Sequence, residues 1–204
     1  SWMKDAADNL IEEMMEFYNK ERPLVFNTLQ MYRHDRLDYL KSLNERALKK
    51  GFFIGMKVVR VAYMEKERER AEEKGYESPI CIDKRATDIN FDAASLYMMD
   101  RPNMALFAGT HNEHSTYLVM EWAKKYGIKK TDKSLWFGQL YGMSDNISFN
   151  LSKSGYNVAK YLPFGPVKDV MPYLIRRAEE NTSVAGQTSR ELDLISAERK
   201  RRKS

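Results

Sequence analysis

Near the C-terminal end, Tyr173, Arg176, Arg177 and Glu180 stand at i, i+3, i+4 and i+7. That spacing puts them on one face of a helix running from about Val167 to Asn181. Pro166 near its start and Pro172 in its first turns are tolerated there. Two adjacent guanidinium groups are planar forks that grip a carboxylate, and Tyr173 adds an aromatic wall with a hydroxyl. The same pattern also describes a surface helix. In that case Glu180 pairs with the arginines one turn back, and Met171, Leu174, Ile175 and Ala178 turn inward. Spacing leaves both readings open.

The elements that position this helix alternate along the chain. A helical stripe through Ala7, Leu10, Ile11, Met14, Met15 and Tyr18 runs to about Asn19. Apolar runs predict strands at Leu24–Gln30, Phe52–Tyr63, Asn103–Gly109, Ser134–Leu140 and Asn157–Leu162. Helical periods fill the gaps: Asp35–Lys50 closed by Gly51, Met64–Lys74, Asp83–Met99, Glu113–Tyr126 stopped by Gly127, and Ser144–Ser154 stopped by Gly155. With no hairpin turns between strands, the pattern predicts an α/β fold with a parallel sheet and right-handed crossovers. An open doubly wound sheet and a closed (β/α)8 barrel of TIM type both fit it. No strand is followed by G-x-G-x-x-G, so the dinucleotide fingerprint is missing. In a barrel, chemistry gathers at the C-terminal ends of the strands. Here those ends carry Gln30, Tyr63, Thr110-His111-Asn112, Gln139 and Tyr161. Taken alone, Asn112 reads as a helix cap. About five strands are visible, so the expected barrel is incomplete.

Composition excludes several classes. The chain has 204 residues, and its Lys and Arg outnumber Asp and Glu 34 to 29, a net charge of +5. Part of that excess is Arg199-Lys200-Arg201-Arg202-Lys203. The body is close to neutral, which argues against a nucleic-acid binder. Cys81 is the only cysteine, which leaves no internal disulfide or Cys-based metal site and fits a reducing compartment. No run is apolar over the roughly eighteen residues a membrane crossing needs. Ser1 opens inside an amphipathic helix with no entry signal and no signal peptide, which is how a chain cut from a longer one would look.

Five segments carry a family resemblance, in order: Lys57-Val58-Val59-Arg60-Val61-Ala62-Tyr63, Gly109-Thr110-His111-Asn112, Gly138-Gln139-Leu140-Tyr141-Gly142-Met143, Lys160-Tyr161-Leu162-Pro163-Phe164-Gly165 and Tyr173-Leu174-Ile175-Arg176-Arg177-Ala178-Glu179-Glu180-Asn181. Together they resemble proline dehydrogenase, the FAD enzyme that oxidises L-proline to Δ1-pyrroline-5-carboxylate. The resemblance implies that residues 1–190 form the C-terminal part of the catalytic barrel, with 191–204 a charged basic tail. It implies that Ser1 begins just after a third strand ending in a pocket aspartate, so that this chain alone is inactive. The arginine helix becomes the last helix, lying over the barrel mouth.

By the same resemblance, Arg176 and Arg177 bind the proline carboxylate and Glu180 positions one of them. Tyr161 and Tyr173 wall the substrate ring, and Tyr63 lies across the pocket. Lys57 is the basic residue near flavin N5, and Val58 is its apolar neighbour. Gln30, Thr110, His111, Asn112 and Gln139 line the flavin. The flavin carries the electrons, and no metal is needed. Electrons pass on to a quinone, which implies peripheral contact with a membrane: the bacterial inner membrane from the cytoplasm, or the mitochondrial inner membrane in a eukaryote. The bulk of Tyr161 favours proline over hydroxyproline. One departure stands out. Val61 occupies a place where the family usually has glycine, and a β-branched residue there either crowds the flavin, shifts Tyr63 or is tolerated. Two rival readings fit less well. A phosphate-binding barrel enzyme would show glycine-rich late loops, whereas Tyr161-Leu162-Pro163-Phe164-Gly165 has one glycine. A nucleic-acid module using the basic tail would need a basic face interleaved with aromatics.

Overall fold

The computed structural model describes residues 2–60, 64–182 and 187–202; the side chains of 2–4, 65, 66, 176–182, 187–191 and 194 lie outside that description. The elements are α1 (Trp2–Tyr18), β1 (Phe26–Gln30), α2 (Arg36–Lys50), β2 (Ile54–Val59), α3 (Met64–Lys74), α4 (Lys84–Met99), β3 (Met104–Gly109), α5 (Glu113–Lys125), β4 (Leu135–Leu140), α6 (Asp145–Lys153), β5 (Val158–Tyr161), α7 (Val167–Thr182) and α8 (Gln187–Arg201). All strand pairs are parallel, and the sheet order is β1-β2-β3-β4-β5. Each crossover therefore moves one strand further in the same direction. A doubly wound sheet reverses its order at a switch point, whereas a barrel keeps winding. This sheet winds like a barrel, and among the described residues it does not close: β1 and β5 each have one strand neighbour.

Strand alternation splits the sheet into two faces. Leu29, Met56, Val58, Leu106, Ala108 and Phe137 face the helices, where they pack against Leu40, Leu43, Phe91, Met98, Val119 and Ile147 in one core. The register puts Thr28, Lys57, Phe107 and Trp136 side by side on the other, lumenal face.

Several boundaries differ from the sequence expectation, for local reasons. Asn19 is wholly buried. Its side chain accepts from the N–H groups of Leu24 and Val25 (2.9 and 2.8 Å) and donates to the carbonyls of Val25 and Phe53 (both 2.9 Å). These backbone groups are bound to the end of α1 and not to a ladder partner, so β1 and β2 start two residues later than the apolar runs suggest. Asp35 does not cap α2, because Arg33 grips its carboxylate with two bonds of 3.0 and 2.8 Å. Arg199, Lys200 and Arg201 of the basic C-terminal stretch belong to α8, and Glu198 accepts from Arg201 and Arg202 at 2.7 and 2.9 Å. Among the described residues no helix is long and apolar enough to cross a membrane.

Candidate active site

The lumenal face is shaped by glycines around one cation. Lys57 lies 5.3 Å from the Tyr161 ring centroid and 5.9 Å from that of Phe107. A Cβ on Gly109 would come within 3.2 Å of Cε of Lys57 and 3.0 Å of Val59, and one on Gly138 would sit 2.1 Å from the Phe107 ring. Glycine at both places lets the lysine stem and the phenyl ring lie against the sheet. Tyr161, at the end of β5, meets Tyr173 of α7 edge-on, with centroids 6.0 Å apart. The structure thus brings Lys57, Tyr161 and Tyr173 together, with Gln30 at the same rim, where its Oε1 accepts from the Tyr32 hydroxyl at 2.9 Å. Tyr63 and Val61 lie outside the described residues, as do the side chains of Arg176, Arg177 and Glu180, whose backbone belongs to α7.

Val58 and Gln139 are placed differently from the sequence expectation. Neighbours on a strand face opposite ways, so Val58 packs in the helix-side core at 0% exposure and does not share the Lys57 face. Gln139 is also buried on the helix side. Its Nε2 donates to the Thr110 carbonyl (3.2 Å), and its Oε1 accepts from the Ser148 hydroxyl (2.8 Å). In this arrangement its amide steadies Thr110.

The Thr110-His111-Asn112 turn joins β3 to α5. Asn112 is the helix cap, accepting from Ser115 N–H at 3.0 Å, as local sequence suggests. His111 Nδ1 meets the Ser144 hydroxyl at 2.8 Å. Ser144 is the one non-glycine residue with positive φ (50°) among the described residues, and its hydroxyl makes no cap bond to α6. Lys160 donates to the Met143 carbonyl and pairs with Asp145, each at 2.7 Å, behind this turn. Sequence reading missed Phe107, Arg60 and Ser144. The strand glycines 109 and 138 were the available signal for the first, since they mark a close approach.

Burial, helped by the positive charge of Lys160, pushes His111 down to about 4. The imidazole is therefore neutral near pH 7. The unfolded chain takes up a proton near the ordinary value of about 6.5, before the folded one does. Stability is therefore lost as pH falls from about 6.5 to about 4, by up to ~3 kcal/mol, and this contribution is flat above that window. Urea midpoints measured across the range should show the slope, and His111→Gln should flatten it. An NMR titration placing His111 near its ordinary value would contradict the assignment.

The fold is that of an α/β barrel whose sheet is open among the described residues. It superposes with a TM-score of 0.79 on the crystal structure of proline utilization A from Bdellovibrio bacteriovorus inactivated by N-propargylglycine, at 28% identity over 89% of this chain and 19% of that one. The family model described as "Proline dehydrogenase" matches residues 1–190, and the chain belongs to that family. It is 38% identical over 208 residues to Proline dehydrogenase 1, mitochondrial, of Caenorhabditis elegans, covering 99% of this chain and 34% of the relative. It is 39% identical over 209 residues to the Hydroxyproline dehydrogenase of Xenopus laevis, covering 99% of this chain and 44% of that protein. The chain thus spans about a third to under half the length of these relatives.

Proposed function

We propose that this chain supplies the carboxylate-binding and flavin-facing side of a dehydrogenase that oxidises L-proline to Δ1-pyrroline-5-carboxylate. The observation that carries this reading is the orientation of α7. Tyr173 is half-buried against Tyr161, while Met171 and Ile175 are 46% and 49% exposed. Leu174 beside Tyr173 is half-buried too, so the buried side of α7 runs through Tyr173 and Leu174 and leaves the Met171 and Ile175 side outward. The helical period then carries Arg176, Arg177 and Glu180 toward the side of Tyr173, where two forks clamp the substrate carboxylate and Glu180 steadies one. Tyr161 and Tyr173 wall the substrate ring, and Tyr63 is assigned the opposite wall.

The residues fit FAD. The two glycines keep the lumenal face clear around Lys57 and Phe107, and Lys57, Thr110 and His111 give donors and a cation at its rim. FAD, when bound, accepts the two electrons and the hydrogen removed next to the amine. Lys57 holds positive charge where negative charge grows, and Gln30, Thr110, His111 and Asn112 line the cofactor's place. The electrons go on to a membrane quinone through a peripheral contact. The nematode relative is named as mitochondrial. The mitochondrial inner membrane is the setting in a eukaryote, and the cytoplasmic face of the inner membrane in a bacterium. Residues 1–190 are assigned to the barrel portion and 191–204 to a charged basic C-terminal tail, and α8 runs across that boundary.

The test is anaerobic addition of L-proline to the flavin-loaded intact protein. Flavin absorbance should bleach as pyrroline-5-carboxylate forms, and hydroxyproline should act more slowly because Tyr161 crowds its hydroxyl. A flavin that stays oxidised at saturating proline would overturn the proposal. The 204 residues alone, with two sheet edges open among the described residues, should aggregate or show no turnover. Robust proline oxidation by them would contradict the need for further pocket groups.

A further inference from the structure

Arg60 follows Val59 at the end of β2 and keeps the helix-facing side of Val58, so it lies behind the Thr110-His111-Asn112 turn. We propose that Arg60 is a positioning residue of the site. It locks that turn from behind and leaves the Thr110 hydroxyl committed as a hydrogen-bond donor toward an acceptor atom of the flavin. The proposal rests on the flavin reading above.

The side chain of Arg60 is 12% exposed. Its Nε donates to Asp88 at 2.5 Å, Nη1 donates to Thr110 Oγ1 at 2.8 Å, Nη2 donates to the Ser115 hydroxyl, and its plane lies 3.8 Å over the Phe91 ring. The bonds close into a ring. Ser115 Oγ donates to Asp92 at 2.7 Å, Ser115 N–H donates to Asn112 Oδ1 at 3.0 Å, and Asn112 N–H donates to Thr110 Oγ1 at 3.1 Å. Arg60 therefore ties the end of β2 to α4, to the turn and to the first turn of α5.

A threonine hydroxyl has two lone pairs and one proton. Arg60 and the Asn112 N–H take both lone pairs of Thr110. Its carbonyl accepts from Gln139, and the residue is 5% exposed. The hydroxyl proton has no acceptor among the described residues, and with both lone pairs filled the group cannot act as an acceptor. It selects a ligand atom with a lone pair, such as a ring carbonyl or ring nitrogen of a flavin. A lysine at 60 would keep the charge beside Asp88 and Asp92. As a point charge without a planar fork, it could not hold Asp88, Thr110 and Ser115 together.

The experiment measures the FAD dissociation constant by quenching of flavin fluorescence on the intact protein. Thr110→Val and Arg60→Lys should each weaken binding about 10-fold, the scale of one hydrogen bond. The double variant should be no weaker than the worse single one, because both remove one interaction. Thr110→Ser, which keeps the hydroxyl, should bind within about twofold of the parent, and amide exchange at Asn112 and Ser115 should speed up in Arg60→Lys. Wild-type FAD affinity in Arg60→Lys would overturn the proposal. So would losses that multiply to about 100-fold in the double variant, since Arg60 would then act on the whole scaffold. A parent protein that binds no FAD would overturn the flavin reading itself, and the role of Arg60 with it, before any variant is compared.

Discussion

Methionine at Arg176 or at Arg177 should lower kcat/KM for proline by roughly 30-fold to several thousand-fold in the flavin-loaded enzyme. The range follows from leaving one member of a desolvated charge pair without its partner, about 2–5 kcal/mol, at tenfold per ~1.4 kcal/mol. A solvent-facing arginine gives a different outcome. Exposed pairs contribute ~0–1 kcal/mol, so kinetics would change by less than about fivefold. The exposure of Met171 and Ile175, with Tyr173 turned to Tyr161, favours the first result. Folding and flavin content should stay near wild type. The loss should follow the carboxylate: a proline analogue without it should bind variant and parent about equally. Glu180→Ala should give a smaller defect of the same kind, because it only orients an arginine. If both methionine variants keep parental proline kinetics, α7 faces solvent and the clamp assignment is wrong.

The orientation of α7 was beyond the sequence, and the reason is physical. A 3.6-residue period says which residues share a face but not which face meets the protein. Hydrophobicity points Met171 and Ile175 inward, yet both are about half exposed, and Tyr173 instead meets Tyr161, 12 residues away in sequence. The alternation of strands and helices was legible because it is local, and every expected strand begins within two residues of its expected start. The choice between barrel and doubly wound sheet was not, because strand order is a non-local property. Arg60 shows the same limit. Its partners Asp88, Thr110 and Ser115 are 28, 50 and 55 residues away, and no spacing rule joins them. Val58 is the opposite case. Period-two alternation already sets it on the other side of the strand from Lys57, where it packs in the helix-side core.

Lys57→Met should lower the flavin reduction potential by roughly 60–90 mV and slow proline-driven reduction by about 10²–10³-fold in a single turnover. The rate range is that of removing one preorganised charge-stabilising group, ~2.7–4 kcal/mol. The potential follows at ~30 mV per ~1.4 kcal/mol for two electrons. Methionine keeps a stem of similar length over Gly109 and between the Phe107 and Tyr161 rings, so the proline dissociation constant should move far less. A purely structural lysine predicts another pattern. Its contacts with two rings are worth ~0.5–2 kcal/mol of stability, and their loss would lower Tm while the potential stayed put. Lys57→Arg separates the two. It restores a cation at the same end of the strand, so under the electrostatic role the potential should return most of the way to the parental value. Under the packing role a bulkier guanidinium between the same rings should disturb Tm further and leave the potential unmoved. A Lys57→Met enzyme that is reduced at the parental rate would remove this residue from the chemistry and leave the flavin-facing charge to groups elsewhere in the pocket.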